Sequence, residues 1–250
     1  MKASSLAGLD ELRRIAIVPA LNEEHTIARV IDELRAFDSG LDIVVVDDGS
    51  TDRTADVAVS MGAFVIRLPF NLGIGGAVQT GFRFAHERHY DLVVRVDGDG
   101  QHDPAQLGSI LEPVLAGRAD IVIGSRFAAD EGGYRSSRSR RIGIRMLASV
   151  VSRVVGQRVT DTTSGFQALN RQGIALFAFD YPHDYPEVEA TVMVFRHRLR
   201  LIEVPVSMRE RGGGRSSITA LRSIYYMVKV LLAIFVGLFR RHVIPNEEAS

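Results

Sequence analysis

Asp97-Gly98-Asp99 closes the apolar run Leu92–Val96 and is the segment of this sequence best equipped for chemistry. Two carboxylates separated by one glycine offer hard oxygen donors suited to Mg²⁺ or Mn²⁺. Such ions are often held by one or two carboxylates together with the phosphates of a substrate. Glycine at 98 lets the backbone approach a ligand closely. Open α/β sheets hold their ligands beyond the C-terminal ends of their strands, and the pair sits at such an end. Asp97-x-Asp99 therefore reads as a metal–diphosphate site. The plainer alternative is a polar Asp-Gly turn that caps the next helix.

The elements that would position this pair are legible along the first half of the chain. Ile15–Val18 is a short apolar run ending at Pro19, and Ala20-Leu21-Asn22-Glu23 follows it. Ile27, Val30, Ile31 and Leu34 then recur at helical spacing. Leu41–Val46 predicts a second buried strand, closed by Asp47-Asp48-Gly49-Ser50. A short helix over Thr54–Met61 and a third strand over Phe64–Leu68 come next. Asn71-Leu72-Gly73-Ile74-Gly75-Gly76 leads into a helix predicted from Ala77 to Arg88. After the Leu92 strand a helix is predicted over Pro104–Ala116, then a strand at Ile121–Ile123 that ends in Gly124-Ser125-Arg126. Strands alternating with helices predict an α/β fold, a mostly parallel Rossmann-like sheet with helices on both faces. Asn22-Glu23, Asp47-Asp48, Asp97-Asp99 and Ser125-Arg126 would then meet along one edge. Polar loops are ordinary in α/β proteins, but that alone does not call for acids at three strand ends and arginine at a fourth.

Beyond Phe127 the pattern changes. Ala128–Arg141 is rich in Gly, Ser and Arg and predicts a mobile loop, followed by a helix over Ile142–Val155. Asp161-Thr162-Thr163-Ser164-Gly165-Phe166 reads as a shaped turn entering a strand. Pro186, Glu187 and Glu189 open a helix with acids in its first turn. Leu201–Val206 predicts a late strand, and Arg209–Ser217 a basic, glycine-rich loop able to close over phosphates. From Ile224 to Phe239 nearly every residue is apolar, with Lys229 the one charge and Arg240-Arg241-His242 following. Such a helix spans roughly 24 Å at about 1.5 Å per residue, short of a hydrocarbon core of about 30 Å. It reads as an interfacial helix, or as a docking helix for a membrane protein, in preference to a core-packed one. Residues 1–220 are thus expected to form the catalytic domain and 221–250 the apolar, basic tail.

Composition narrows the function classes. The 250 residues are 46% hydrophobic and 24% charged, enough for one large domain with a substantial core. A formal net charge of zero argues against a general nucleic-acid binder. With no cysteine, thiolate nucleophiles, zinc–thiolate sites and disulfides are excluded. Met1–Asp10 has no signal-peptide core, so a cytoplasmic chain, peripheral at the inner face of the membrane, is expected. Gly73-x-Gly75-Gly76 does not make a dinucleotide fingerprint: the third glycine would fall at Val78, and the loop follows the third strand.

Val18-Pro19-x-x-Asn22-Glu23, Val46-Asp47-Asp48-Gly49-Ser50, Asp97-x-Asp99-x-Gln101-His102, Gly124-Ser125-Arg126 and Asp161-x-x-Ser164-Gly165-Phe166 occur in that order. Together they resemble an inverting family 2 glycosyltransferase of the GT-A fold. The subgroup they resemble most is the polyprenyl- or dolichyl-phosphate sugar synthases, typified by dolichyl-phosphate mannose synthase. The resemblance spans Ile15 to Ser217. It implies that Pro19, Ala20, Asn22 and Glu23 lie near the nucleotide base and ribose, with Asp48 at the base. Asp97, Gly98 and Asp99 would meet the ribose-diphosphate and its metal, with Gln101 a further metal contact. Arg126, Arg141 and Arg211 would bind diphosphate or acceptor phosphate, with Ser164, Glu189 and Ser216 also lining the substrates. No aromatic stands at Ala20 or Leu21, where these synthases usually carry one, and Arg211-x-x-Gly214-x-Ser216 sits in an extended glycine run. Synthases with paired transmembrane helices after the catalytic domain are not matched, because the sequence ends at Ser250.

The activity so implied moves a sugar from a nucleoside diphosphate donor, a GDP- or UDP-sugar, to a polyprenyl monophosphate. That phosphate is already ionised and is its own nucleophile. A hydroxyl acceptor, as in cell-wall polysaccharide synthesis, would instead call for a carboxylate base, for which Glu187 and Glu189 are the candidates by position. Both could equally be acids favoured at a helix N-terminus. The implied partners are the nucleotide sugar, the lipid phosphate and a membrane surface or small membrane protein. A homo-oligomer is left open.

Overall fold

The structure is a computed structural model that describes residues 9–128, 138–182 and 186–209, together with Lys229 and Leu232. The chain runs β1 (Arg14–Ala20), α1 (Ile27–Phe37), β2 (Asp42–Asp47), α2 (Thr54–Ser60), β3 (Phe64–Arg67), α3 (Gly73–Glu87), β4 (Leu92–Arg95), α4 (Leu107–Leu115), β5 (Ile121–Ser125), α5 (Arg138–Val155), β6 (Gln167–Asn170), α6 (Arg171–Phe179), α7 (Pro186–Arg196) and β7 (Leu201–Pro205). The strands form one seven-stranded sheet ordered β3-β2-β1-β4-β6-β5-β7.

Period-two alternation sorts the strand residues onto two faces. On one face Ala16, Val18, Val45, Val94 and Val122 pack against Val30, Ile31 and Leu34 of α1 and Ile110 and Leu111 of α4. On the other Ile17, Val46, Val93 and Ile123 meet Val78 and Phe82 of α3, Phe177 of α6 and Met193 of α7. The central strands β1, β2 and β5 are mostly apolar because both of their faces are covered.

Three features depart from the expectations. Helix α3 begins at Gly73, so the glycine loop is its first turn; Gly73 itself has φ 80°, a left-handed conformation open to glycine without strain. Helix α6 was not foreseen. Strand β6 lies between β4 and β5 and runs antiparallel to both. Nothing in the local pattern of Gln167–Asn170 encodes this, since direction is set by which edges are free to pair. Apart from Lys229 and Leu232, the stretch Ile224–Phe239 expected as a C-terminal helix lies outside the described residues, as do residues 129–137 of the expected loop; Arg138–Arg141, expected in that loop, open α5 instead.

The far end of the sheet carries an ionic latch. Arg200 Nε and Nη2 donate to Asp120 at 3.1 and 2.8 Å, and Asn170 Nδ2 donates at 2.8 Å. The Arg200 side chain, aided by Asn170, holds the Asp120 carboxyl down at about 2 from the usual 3.8. Because the folded value is depressed, the latch contributes above about pH 4 and is lost as the pH falls towards 2. Asp120→Asn is therefore expected to flatten the acid limb of a pH–melting curve between those values and to leave the neutral limb parallel to the parent's.

Candidate active site

With β6 the one reversed strand of the sheet, the C-terminal ends of β1, β2, β4 and β5 share an edge with the N-terminal end of β6. The chain winds outward from β1 through β2 to β3, then returns to place β4 on the other side of β1. A crevice forms where the winding reverses. Its volume is about 390 Å³, and Pro19, Ala20, Glu23, Asp48, Asp97 and Asp99 line it, opposite Asn71, Gly73 and Ile74. Four of the predicted strand-end residues from three segments thus meet at one opening.

Each loop is held by a specific contact. Asp48 N–H donates to Ala20 O at 2.9 Å, and Asp48 Oδ1 accepts from Leu72 N–H at 2.7 Å. Asp48 therefore ties the β2 end to the loop before α3. Asn22 has φ 55°, a left-handed conformation that Asn tolerates. Its Oδ1 accepts from Thr51 N–H at 2.9 Å, so the amide braces the two neighbouring loops. The single O–H of Thr26 donates to Gly98 O at 2.7 Å, with Glu23 Oε2 3.0 Å away as its alternative acceptor, and so joins the β1 loop to the Asp97 loop. At Gly98 a Cβ would stand 3.1 Å from Ala20 Cβ and 3.2 Å from Pro19 O. A side chain there would press the two loops apart by a few tenths of an ångström. Asp99 Oδ1 accepts from Gln101 N–H at 3.0 Å, which closes the turn.

Asp97 and Asp99 both face this opening and supply hard oxygens, which fit a divalent cation. Among the described residues no group of three or more His, Asp or Glu is gathered to hold an ion. An ion here would complete its shell with phosphate oxygens and water.

Beneath the carboxylates lies a buried polar cluster that the sequence reading passed over. Arg95 is 1% exposed inside an otherwise apolar strand. Its Nη2 donates to Glu187 Oε1 at 3.0 Å and to Asp97 Oδ1 at 3.4 Å, and its Nη1 donates to Tyr181 Oη at 3.1 Å. Burial alone would lower the Arg95 pKa, but Tyr181, Asp97 and Glu187 outweigh it and the net shift is upward. His102 stacks on Phe166 at 4.9 Å between ring centroids, and its Nδ1 accepts from Asp97 N–H at 3.0 Å. Burial pushes His102 down from its ordinary value, against the pull of Asp97 and Asp99, and with Nδ1 an acceptor the ring proton belongs on Nε2. An arginine in a buried strand signals a carboxylate partner. No sequence signal identified Glu187 as that partner, 92 residues away.

Arg126, expected at the substrate phosphates, is paired with Asp161 in this structure. Its Nε and Nη2 donate to Asp161 at 2.7 and 2.8 Å, and its backbone N–H donates to Asp161 Oδ2 at 3.1 Å. The two side chains are 7% and 0% exposed. Burial would raise the Asp161 carboxyl, and Arg126 reverses this so that it sits below its usual value. Glu203 of β7 in turn accepts from the backbone N–H groups of Thr160 and Asp161. Ser164 is buried in the same turn, where its Oγ accepts from Phe166 N–H at 3.3 Å. Glu189 and Glu187 open α7 as expected. Arg141 lies on α5, and Arg211 and Ser216 lie outside the described residues. Among the described residues no helix is long and apolar enough to cross a membrane.

Comparison with known proteins agrees with this architecture. Residues 15–177 match the sequence profile described as Glycosyl transferase family 2. The undecaprenyl-phosphate mannosyltransferase of Micrococcus luteus is 34% identical over 217 residues, covering 83% of this chain and 88% of that one. The polyprenol monophosphomannose synthase of Mycolicibacterium smegmatis is 30% identical, covering 87% and 85%. Among solved structures, the glucosyl-3-phosphoglycerate synthase of Mycobacterium tuberculosis in complex with Mn²⁺, UDP and glucosyl-3-phosphoglycerate superposes with a TM-score of 0.69 at 25% identity, covering 98% of this chain and 84% of that one. The crevice at the β1/β4 reversal, the acidic strand ends around it and these matches lead to one conclusion: the chain is a GT-A-fold member of glycosyl transferase family 2.

Proposed function

We propose that this protein is an inverting glycosyltransferase that moves a sugar from a nucleoside diphosphate sugar to a polyprenyl monophosphate. The observation that carries the reading is the pairing of Asp97 and Asp99 on the wall of the crevice at the β1/β4 reversal. The chain's similarity to an undecaprenyl-phosphate mannosyltransferase and to a polyprenol monophosphomannose synthase supports the acceptor class. Pro19, Ala20 and Glu23 would flank the nucleoside, Asp48 the base, and Asp97 the ribose-diphosphate. Asp99, with Asp97 and Gln101, would hold Mg²⁺ or Mn²⁺, whose contribution is to offset the charge of the departing diphosphate. An acceptor phosphate oxygen attacks the anomeric carbon from the face opposite the leaving group. The carbon–oxygen bond to the donor diphosphate breaks, and nucleoside diphosphate leaves.

No proton has to be removed from an ionised acceptor. Glu187, one of the two carboxylates a hydroxyl acceptor would recruit as base, is instead bound to the Arg95 guanidinium. This favours the phosphate acceptor. Arg141, Arg211 and Ser216 complete the acceptor-phosphate side in this reading, and the 221–250 tail would hold the enzyme at the membrane surface, on the cytoplasmic face.

The test is nucleoside diphosphate release by the purified protein with Mg²⁺ or Mn²⁺, from GDP-mannose, UDP-glucose and other nucleotide sugars, each with and without a polyprenyl phosphate. Release that requires both the cation and the lipid phosphate is expected. Equal release with a sugar hydroxyl acceptor and none with the lipid would overturn the acceptor assignment.

A further inference from the structure

Strand β4 needs no arginine for packing. Its other residues are Leu92, Val93 and Val94, and burying a guanidinium is costly unless what surrounds it compensates. The compensation at Arg95 is incomplete. Among the described residues its Nε has no hydrogen-bond partner, and neither has Oε1 of Gln167, the residue opposite it in β6. Orphaned buried groups of this kind reduce stability. The side chain is better explained by what it holds.

What it holds is the first carboxylate of the acidic pair. One nitrogen, Nη2, donates to both Asp97 Oδ1 and Glu187 Oε1, and Nη1 reaches Tyr181 beyond the end of α6. Three separate elements meet on a single rigid fork, a geometry that lysine cannot reproduce. The surroundings preserve room for it. A Cβ on Gly165 would stand 2.7 Å from Arg95 Nη2 and 3.1 Å from Asp97 Oδ1. Asp97 is also pinned from the backbone side, where His102 accepts its N–H.

We propose that Arg95 is a positioning residue for donor binding: it fixes the orientation in which the Asp97 carboxylate meets the crevice, and braces it against the first turn of α7 through Glu187. This rests on Asp97 being a donor-site carboxylate. Groups that orient a ligand from behind typically change affinity by about 10–100-fold when removed.

The experiment measures dissociation constants for UDP and for GDP, each with Mn²⁺, by calorimetry on the full chain and on Arg95→Lys, Asp97→Asn and the double variant, with melting curves for all. Arg95→Lys keeps a cation beside Glu187, so it is expected to melt near the parent yet bind the better of the two nucleotides about tenfold more weakly. Asp97→Asn is expected to weaken binding as well, and the double variant to bind no more weakly than Asp97→Asn alone, because Arg95 acts through Asp97. A merely structural arginine would lower the melting temperature and give losses that add. Additive losses, or parent-like binding by Arg95→Lys, overturn the positioning role. Unchanged binding by Asp97→Asn alone overturns the donor role of Asp97 and the proposal with it. If Arg95→Lys does not fold, Gly165→Ala replaces it, since it intrudes between Arg95 and Asp97 with both charges kept, and the same comparison against Asp97→Asn decides.

Discussion

Turnover is expected to fall about a thousandfold in Asp99→Asn, the size of effect seen when one preorganised group that stabilises transition-state charge is lost. The substitution is close to isosteric. Asn can still accept the Gln101 N–H through Oδ1, so the turn at 99–101 is kept. Asp99 is only half-buried, so the melting temperature should move by no more than a few degrees. What is removed is one negative charge on the wall of the crevice, and with it, on the proposed reading, a ligand for a hard cation. The signature is a large drop in kcat with a rise in the Mg²⁺ or Mn²⁺ concentration needed for half-maximal rate. A variant that keeps parent-like turnover and cation dependence would remove Asp99 from the metal site.

The largest effect on stability is expected at Asp161. Asp161→Ala strands the Arg126 guanidinium, which is 7% exposed, and also deprives the backbone N–H groups of Arg126 and Thr163 of their acceptor. Breaking a buried ion pair from one side costs about 3–5 kcal/mol. For a chain of this size that lowers the melting temperature by roughly 10 °C. Replacing both partners, as in Arg126→Met with Asp161→Leu, should recover much of the loss, because no unpaired charge is left buried. The double variant also separates two roles for Arg126. A stable but inactive protein means that the Arg126 charge serves the substrate phosphates; a stable and active one means that the pair only shapes the edge of the crevice. A loss below about 1 kcal/mol in Asp161→Ala would mean the pair behaves as an exposed one.

Local pattern was enough for most of the scaffold. Largely apolar runs of three to six residues closed by acids, Gly or Pro marked β1, β2, β4 and β5, and the 3.6-residue period marked α1, because burial on both sheet faces or on one helix face leaves its period in the chain. Helix boundaries were less legible. Gly73, Ile74 and Gly75 belong to α3, where tertiary packing outweighs the low helix propensity of glycine. The acidic residues of the crevice were readable because carboxylates at strand ends have no packing reason to be there.

The partnerships were not readable. That Arg126 pairs with Asp161, 35 residues on, had no signal in the sequence. Arg95 was overlooked inside an apolar run, and nothing local linked it to Glu187, which the fold sets against it. The sequence by itself determined the fold class, the strand-end carboxylates and the family, since these depend on residue types at short, regular spacings. Only the tertiary structure decided that β6 runs antiparallel between β4 and β5, and so sets the Asp161 turn on the edge that carries the crevice. It also decided which buried charges neutralise one another, because a pair's partner is chosen by proximity in space, and a chain that folds across 35 or 92 residues carries no local record of that choice.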